Sequence, residues 1–143
     1  REGWPMADDS RWVEVVSADG RVWEGEALAV VARTTEGDIG ILPGHEPILA
    51  VLVPCAAEIL AKVTEREVVA VDGGFLSVND NKLSILSQYA KLARTISLHD
   101  AEAEWANASK ALNAGEIDDD TRRHYNRALA QLKAAQKASD RKS

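Results

Sequence analysis

Residues 34–52 read Thr34-Thr-Glu-Gly-Asp-Ile-Gly-Ile-Leu-Pro-Gly-His-Glu-Pro-Ile-Leu-Ala-Val-Leu52. This stretch puts two apolar runs and two turn signals into nineteen positions. Glu36-Gly37 and Pro43-Gly44 are turn punctuation, Asp38 to Leu42 reads as a short strand, and Ile48 to Leu52 as a second apolar segment. Gly40 within the first strand predicts a bulge or the close approach of another backbone.

Outward from this stretch, residues 11 to about 94 keep a short alternating pattern, with Val13 and Val15 on one face and Leu28 and Val30 on another. Further turn signals fall at Asp19-Gly20, Val53-Pro54, Asp72-Gly73-Gly74 and Asn79-Asp80-Asn81. Strands at roughly ten-residue spacing, with no long helical pattern between them, predict an all-β sandwich or barrel of about ten short strands. Leu83 and Ile85 mark its last full strand, and Tyr89 to Arg94 a short edge strand leading out.

At Ser97 the apolar period changes. Leu98, Ala101, Trp105, Ala108 and Leu112 follow one another at spacings of 3, 4, 3 and 4, one seam of a helix packed on a neighbour. Ser97 and Asp100 have capping-box spacing, and Asn113-Ala114-Gly115 is a stop signal. Asp118, Asp119 and Asp120 put negative charge at the start of a second helix, where the helix dipole favours it. In that helix Tyr125, Ala128, Leu132 and Ala135 form the matching seam, with Arg122, Arg123, Arg127, Lys133 and Lys137 pointing largely elsewhere. The expected organisation is residues 1–10 outside the fold as a disordered or vector-derived segment, with Met6 as a natural start, residues 11–95 as the β domain, and residues 96–143 as a helical hairpin. The hairpin seam is rich in alanine, which buries little area per residue, so the pair is expected to dock weakly and to be able to open.

Composition narrows the function classes. The chain has 143 residues, 45% hydrophobic and 28% charged, and no apolar run approaching the ~20 residues needed to cross a bilayer. Its net charge of −6 argues against nucleic acid as the main partner. The charge is unevenly placed: residues 121–143 carry seven basic groups against Asp140, a basic helix on an acidic protein. Cys55 is the single cysteine, so no disulfide closes within the chain. Trp23 and Trp105 read as core or as contact between the two parts.

No constellation satisfies the requirements of catalysis. His45 lies beside Glu46 and near Asp38, but adjacent strand residues point to opposite faces, and no nucleophile accompanies them. His99 and His124 fall on the helices, and no spacing offers a metal site. Gly37, Gly40 and Gly44 match neither phosphate-loop pattern and are turn glycines. No cofactor and no metal is expected.

The string Gly37-Asp38-Ile39-Gly40-Ile41-Leu42-Pro43-Gly44-His45-Glu46-Pro47, followed by Val71-Asp72-Gly73-Gly74-Phe75-Leu76-Ser77-Val78 and by Leu83-Ser84-Ile85-Leu86, resembles the epsilon subunit of the bacterial rotary F-type ATP synthase. The resemblance covers approximately residues 12–138. It implies a non-catalytic central-stalk subunit of a proton-driven motor, peripheral on the cytoplasmic face of the bacterial membrane and touching the membrane only through partners. Those partners would be the gamma subunit and the c-ring, met by Asp38, Gly40, Pro43 and His45. The alpha and beta subunits would join them when the hairpin extends, gripped by Arg122, Arg123, Arg127 and Lys133 to inhibit ATP hydrolysis. The isolated chain would be a monomer.

Some relatives bind ATP through an I/L-D-x-x-R-A motif at the start of the first helix. Here the corresponding residues are Ile96-Ser97-Leu98-His99-Asp100-Ala101. Ser97 stands where the motif has aspartate and Asp100 where it has arginine, which reverses the sign of the charge facing a triphosphate, so no useful ATP binding is expected. The alternative reading is a free-standing sensor of a small ligand or nucleotide whose hairpin closes over it.

Overall fold

The computed structural model describes residues 11–42, 47–62, 65–115 and 118–141. The N-terminal residues 1–10, together with Pro43, His45 and Glu46, lie outside the described residues.

Eight strands are described: β1 Arg11–Ser17, β2 Gly20–Ala27, β3 Ala29–Thr34, β4 Gly37–Ile41, β5 Ile48–Lys62, β6 Glu65–Asn79, β7 Lys82–Leu86 and β8 Ala90–Leu92. They join in the order β2-β1-β7-β6-β5-β3-β4, with β8 on β6. Every pairing is antiparallel except β1 with β7. A 3₁₀ turn over Ala93–Thr95 leads to helices α1 Leu98–Asn113 and α2 Asp119–Arg141. The β plus α architecture is the expected one; the described residues form eight strands, two of them longer than the spacing of turn signals predicts.

The difference has a physical cause. Both β5 and β6 run for 15 residues, straight through the turns expected at Val53-Pro54 and at Asp72-Gly73-Gly74. The ladder between them is continuous from Ile48 to Leu52 against Val78 to Gly74 and resumes at Pro54 opposite Asp72. Gly73 and Gly74 have φ of 119° and 117°, and a Cβ on Gly74 would sit 2.1 Å from the carbonyl oxygen of Leu86. Glycine here lets two paired strands bend together from one layer to the other without ending either. Gly40 behaves otherwise: the β3–β4 register passes it without a shift, and a Cβ there would meet nothing within 4 Å, so neither a bulge nor a close approach occurs.

Alternation builds one core between the two layers. Val13 and Val15 of β1, Leu76 and Val78 of β6, and Leu83 and Ile85 of β7 face Cys55, Ala57, Ile59, Val69 and Val71 from the other half of the long strands. Trp23 packs at its edge, half-buried. Asp80 and Asn81, at φ 52° and 62°, make the tight connection of β6 to β7 expected at that point.

Ser97 caps α1, its hydroxyl accepting from the Asp100 amide at 3.2 Å, and Gly115 at φ 91° follows its end. Asp118 Oδ1 accepts from the Thr121 amide at 2.8 Å and starts α2. Ala101, Ala108, Ala128 and Ala135 are buried, as their spacing predicts. Trp105 is half-buried on α1.

Candidate partner-binding surfaces

A two-layer sandwich has two outer faces, and the hairpin occupies one of them. Ala130 and Ala134 of α2 pack on Ala56 of β5, Val68 and Ala70 of β6 and Ala93, with Ile96 and Ala138 at the margin. Small side chains on both surfaces let the helix lie close to the strands, so the contact is broad but shallow in apolar area.

Polar contacts supplement it. Arg127 Nε donates to Asp72 Oδ2 at 3.2 Å, and the guanidinium lies over the Tyr89 ring, 5.3 Å from its centroid. The Asp72 side chain is 8% exposed, and its other oxygen accepts from the Tyr89 amide at 3.2 Å with the Ser87 hydroxyl 2.9 Å away. Gln131 donates to the Tyr89 hydroxyl. Burial pushes the Tyr89 phenol up, opposed by the Gln131 bond and the Arg127 charge, so the ring stays neutral at physiological pH. Further along α2, Lys137 Nζ lies 2.8 Å from Glu58 Oε2, and His124 Nε2 lies 3.0 Å from Glu104 Oε2 on α1.

Among the described residues no element covers the second outer face. Val16 of β1, Leu86 of β7, Phe75 of β6 and Val51 of β5 are successive register partners, so their side chains stand side by side across four strands. Leu86, Phe75 and Val51 are 45%, 49% and 47% exposed, with Leu49 on the same side of β5 more open still and Trp12 on that side of β1. Such a row of large apolar groups is the mark of a protein interface.

The residues expected to bind partners are distributed over several places. Asp38 and Gly40 lie on β4, and Asp38 is not a free carboxylate: it is the register partner of Arg33 and takes two donors from that guanidinium, at 2.9 and 3.3 Å. Pro43 and His45 lie outside the described residues. On α2, Arg122 is exposed and Arg123 pairs with Asp120. Arg127 and Lys137 were expected to point away from the packing surfaces, but both turn onto the sandwich, because α2 packs on the strands as well as on α1 and so buries a wider arc than one seam. Lys133 borders a cavity beside β3. Ser97 is engaged as a helix cap, with Asp100 exposed in the first turn.

The bare row and the Asp72–Tyr89 side of the clamp were missed. The one signal for the row was the unbroken apolar run from Ile48 to Val53, since a strand apolar at every position has both faces covered. For Asp72 and Tyr89 the local sequence carries no signal, as their partner Arg127 is 55 residues from Asp72.

Among the described residues no group of histidine, cysteine and acidic side chains could hold a metal, and no helix is long and apolar enough to cross a membrane.

Comparison with known proteins adds the context. A family model described as the ATP synthase delta/epsilon chain, beta-sandwich domain, matches residues 12–93. The ATP synthase epsilon chain of Cutibacterium acnes is 44% identical over 139 residues, covering 92% of this chain and 95% of that protein. The Streptomyces avermitilis epsilon chain is 52% identical over 96 residues, 67% of this chain and 77% of that one. A chain of the Euglena gracilis mitochondrial ATP synthase superposes with a TM-score of 0.71 at 21% identity, covering 97% of this chain and 87% of that chain, a likeness of fold.

Proposed function

We propose a mechanical role from a membership that is itself established: this chain belongs to the ATP synthase delta/epsilon family and is of the epsilon type. It is a non-catalytic subunit of the central stalk of a proton-driven rotary ATP synthase. In our reading the bare apolar row of Val51, Phe75 and Leu86 is the seat of the gamma subunit. In the same reading Asp38, Gly40, Pro43 and His45 meet the c-ring on the cytoplasmic face of the membrane. The observation that carries this is the contrast between the two outer faces, one closed by α2 and the other carrying exposed apolar side chains.

The hairpin regulates. Docked, it leaves the catalytic head free; extended, it presents its basic side to acidic surfaces of the alpha and beta subunits and inhibits hydrolysis. Arg127 serves both states, since in the docked form it is held by Asp72 and in the extended form it is released with Arg122 and Arg123. The two roles predict opposite signs. Replacing Arg122, Arg123 and Lys133 with alanine raises ATP hydrolysis by the assembled enzyme, whereas Asp72→Asn, which frees the hairpin but keeps its basic residues, lowers it.

The primary test is reconstitution. Val51→Glu with Phe75→Glu should abolish co-purification with the other stalk subunits while the isolated chain keeps its fold by circular dichroism. Unimpaired assembly by that variant would remove the bare face from the interface.

A further inference from the structure

A cavity of about 330 Å³ opens beside α2, between the helix and the β3–β4–β5 edge, away from the bare apolar face and from the start of α1. Its apolar lining is Val31, Ala32, Cys55 and Ala56, and its polar lining Arg33, Asp38, Lys133, Gln136 and Lys137. The volume falls at the small end of the ~300–1,000 Å³ usual for ligand pockets.

Three cations and the Asp38 carboxylate line one small space, with Lys133 and Lys137 coming from the basic helix and Arg33 from the sandwich. Arg33 and Lys137 each pair with one carboxylate, Asp38 and Glu58, and keep further donors. Lys133 forms no ion pair with any described residue. Burial pushes the Cys55 thiol up, and the charges of Lys133, Lys137 and Arg33 act the other way. A guanidinium fork and two ammonium groups around an apolar floor suit an oxyanion with several acceptor atoms.

We propose that this cavity binds a phosphate-type oxyanion, held by Arg33 from the sandwich and by Lys133 and Lys137 from α2. The ligand is a free oxyanion, inorganic phosphate or pyrophosphate. Because the ligand touches both β3 and α2, its binding free energy adds to hairpin docking by linkage. The site does not use residues 96–101, and its existence does not depend on assembly into a larger complex.

The test uses the isolated full chain, titrated with inorganic phosphate, pyrophosphate and ADP and followed by amide chemical shifts and by the alkylation rate of Cys55. Saturable shifts at Arg33, Lys133 and Lys137, with slower alkylation at saturation, are expected. Response to phosphate and pyrophosphate supports the free-oxyanion site, and response to ADP alone overturns it. Lys133→Glu should weaken binding roughly tenfold, as an attraction at a few ångström becomes a repulsion. Lys110→Glu, the same charge change on α1, should leave it unaltered, and Lys133→Gln guards against loss of structure in the charge reversal. Absence of saturable binding by all three ligands, or equal loss in the Lys110 and Lys133 variants, overturns the proposal.

Discussion

Arg127 of α2 and Asp72 of β6 meet at 3.2 Å across the boundary between hairpin and sandwich, with the carboxylate almost wholly withdrawn from water. Removing the arginine leaves that carboxylate with its two contacts from residues 87 and 89 but without a cation, and removes the stacking on Tyr89. Loss of a hydrogen-bond partner from a buried group costs about 1–3 kcal/mol. Arg127→Ala should therefore lower amide protection throughout α2 about tenfold or more and raise the alkylation rate of Cys55, with the strands unaffected. Equal protection in variant and parent would show that the clamp does not hold the hairpin.

Ala134 is fully buried against the sandwich. Ala134→Leu adds three carbons where the helix lies close to the strands, and overpacking of this kind costs roughly 1–3 kcal/mol. The expected outcome is an undocked hairpin on an intact sandwich, seen as fast exchange confined to α1 and α2. A uniform loss of protection over both parts would mean instead that they unfold as one unit.

Gly74 and Gly40 form a contrasting pair. Alanine at Gly74 puts a methyl group 2.1 Å from a backbone oxygen in a conformation that side chains rarely adopt, whereas Gly40 has open space around it. Gly74→Ala should destabilise by roughly 3 kcal/mol or more from strain and displacement together. Gly40→Ala should leave urea stability within about 0.5 kcal/mol of the parent. Comparable midpoints for the two variants would contradict the bend assigned to Gly73 and Gly74.

Glu14 predicts a pH dependence. The Ser84 hydroxyl, 2.9 Å away, holds its carboxyl below the usual range against the opposing effect of burial, and Lys82 and Arg21 add to the lowering. A carboxylate whose folded value is depressed contributes stability that is fully present above its unfolded value of about 4.3 and fades as the pH falls through the lower folded value. Urea midpoints recorded on the acid side should decline less steeply for Glu14→Gln than for the parent. An acid limb of unchanged slope would exclude Glu14 as a contributor.

The elements defined by local chemistry were legible in the sequence. Ser97 before α1, Gly115 after it, the acidic start of α2 and the Asp80-Asn81 turn all act within four residues, so nearby side chains determine them. Alternation marked Val13, Val15, Leu83 and Ile85 as core. The bend at Gly73-Gly74 was misread as a turn because glycine marks both, and only the continued pairing with β5 distinguishes them.

What the order of residues determined by itself was a strand-built domain, two capped helices and the family string around Gly37 to Pro47, for these depend on near neighbours and on spacing along the chain. The tertiary structure alone decided which outer face α2 covers, that Arg127 turns inward to Asp72, and that Val51, Phe75 and Leu86 align in an open row. Each of those is a meeting of side chains far apart in sequence, and no local preference encodes which surface a folded sheet finally presents to which helix.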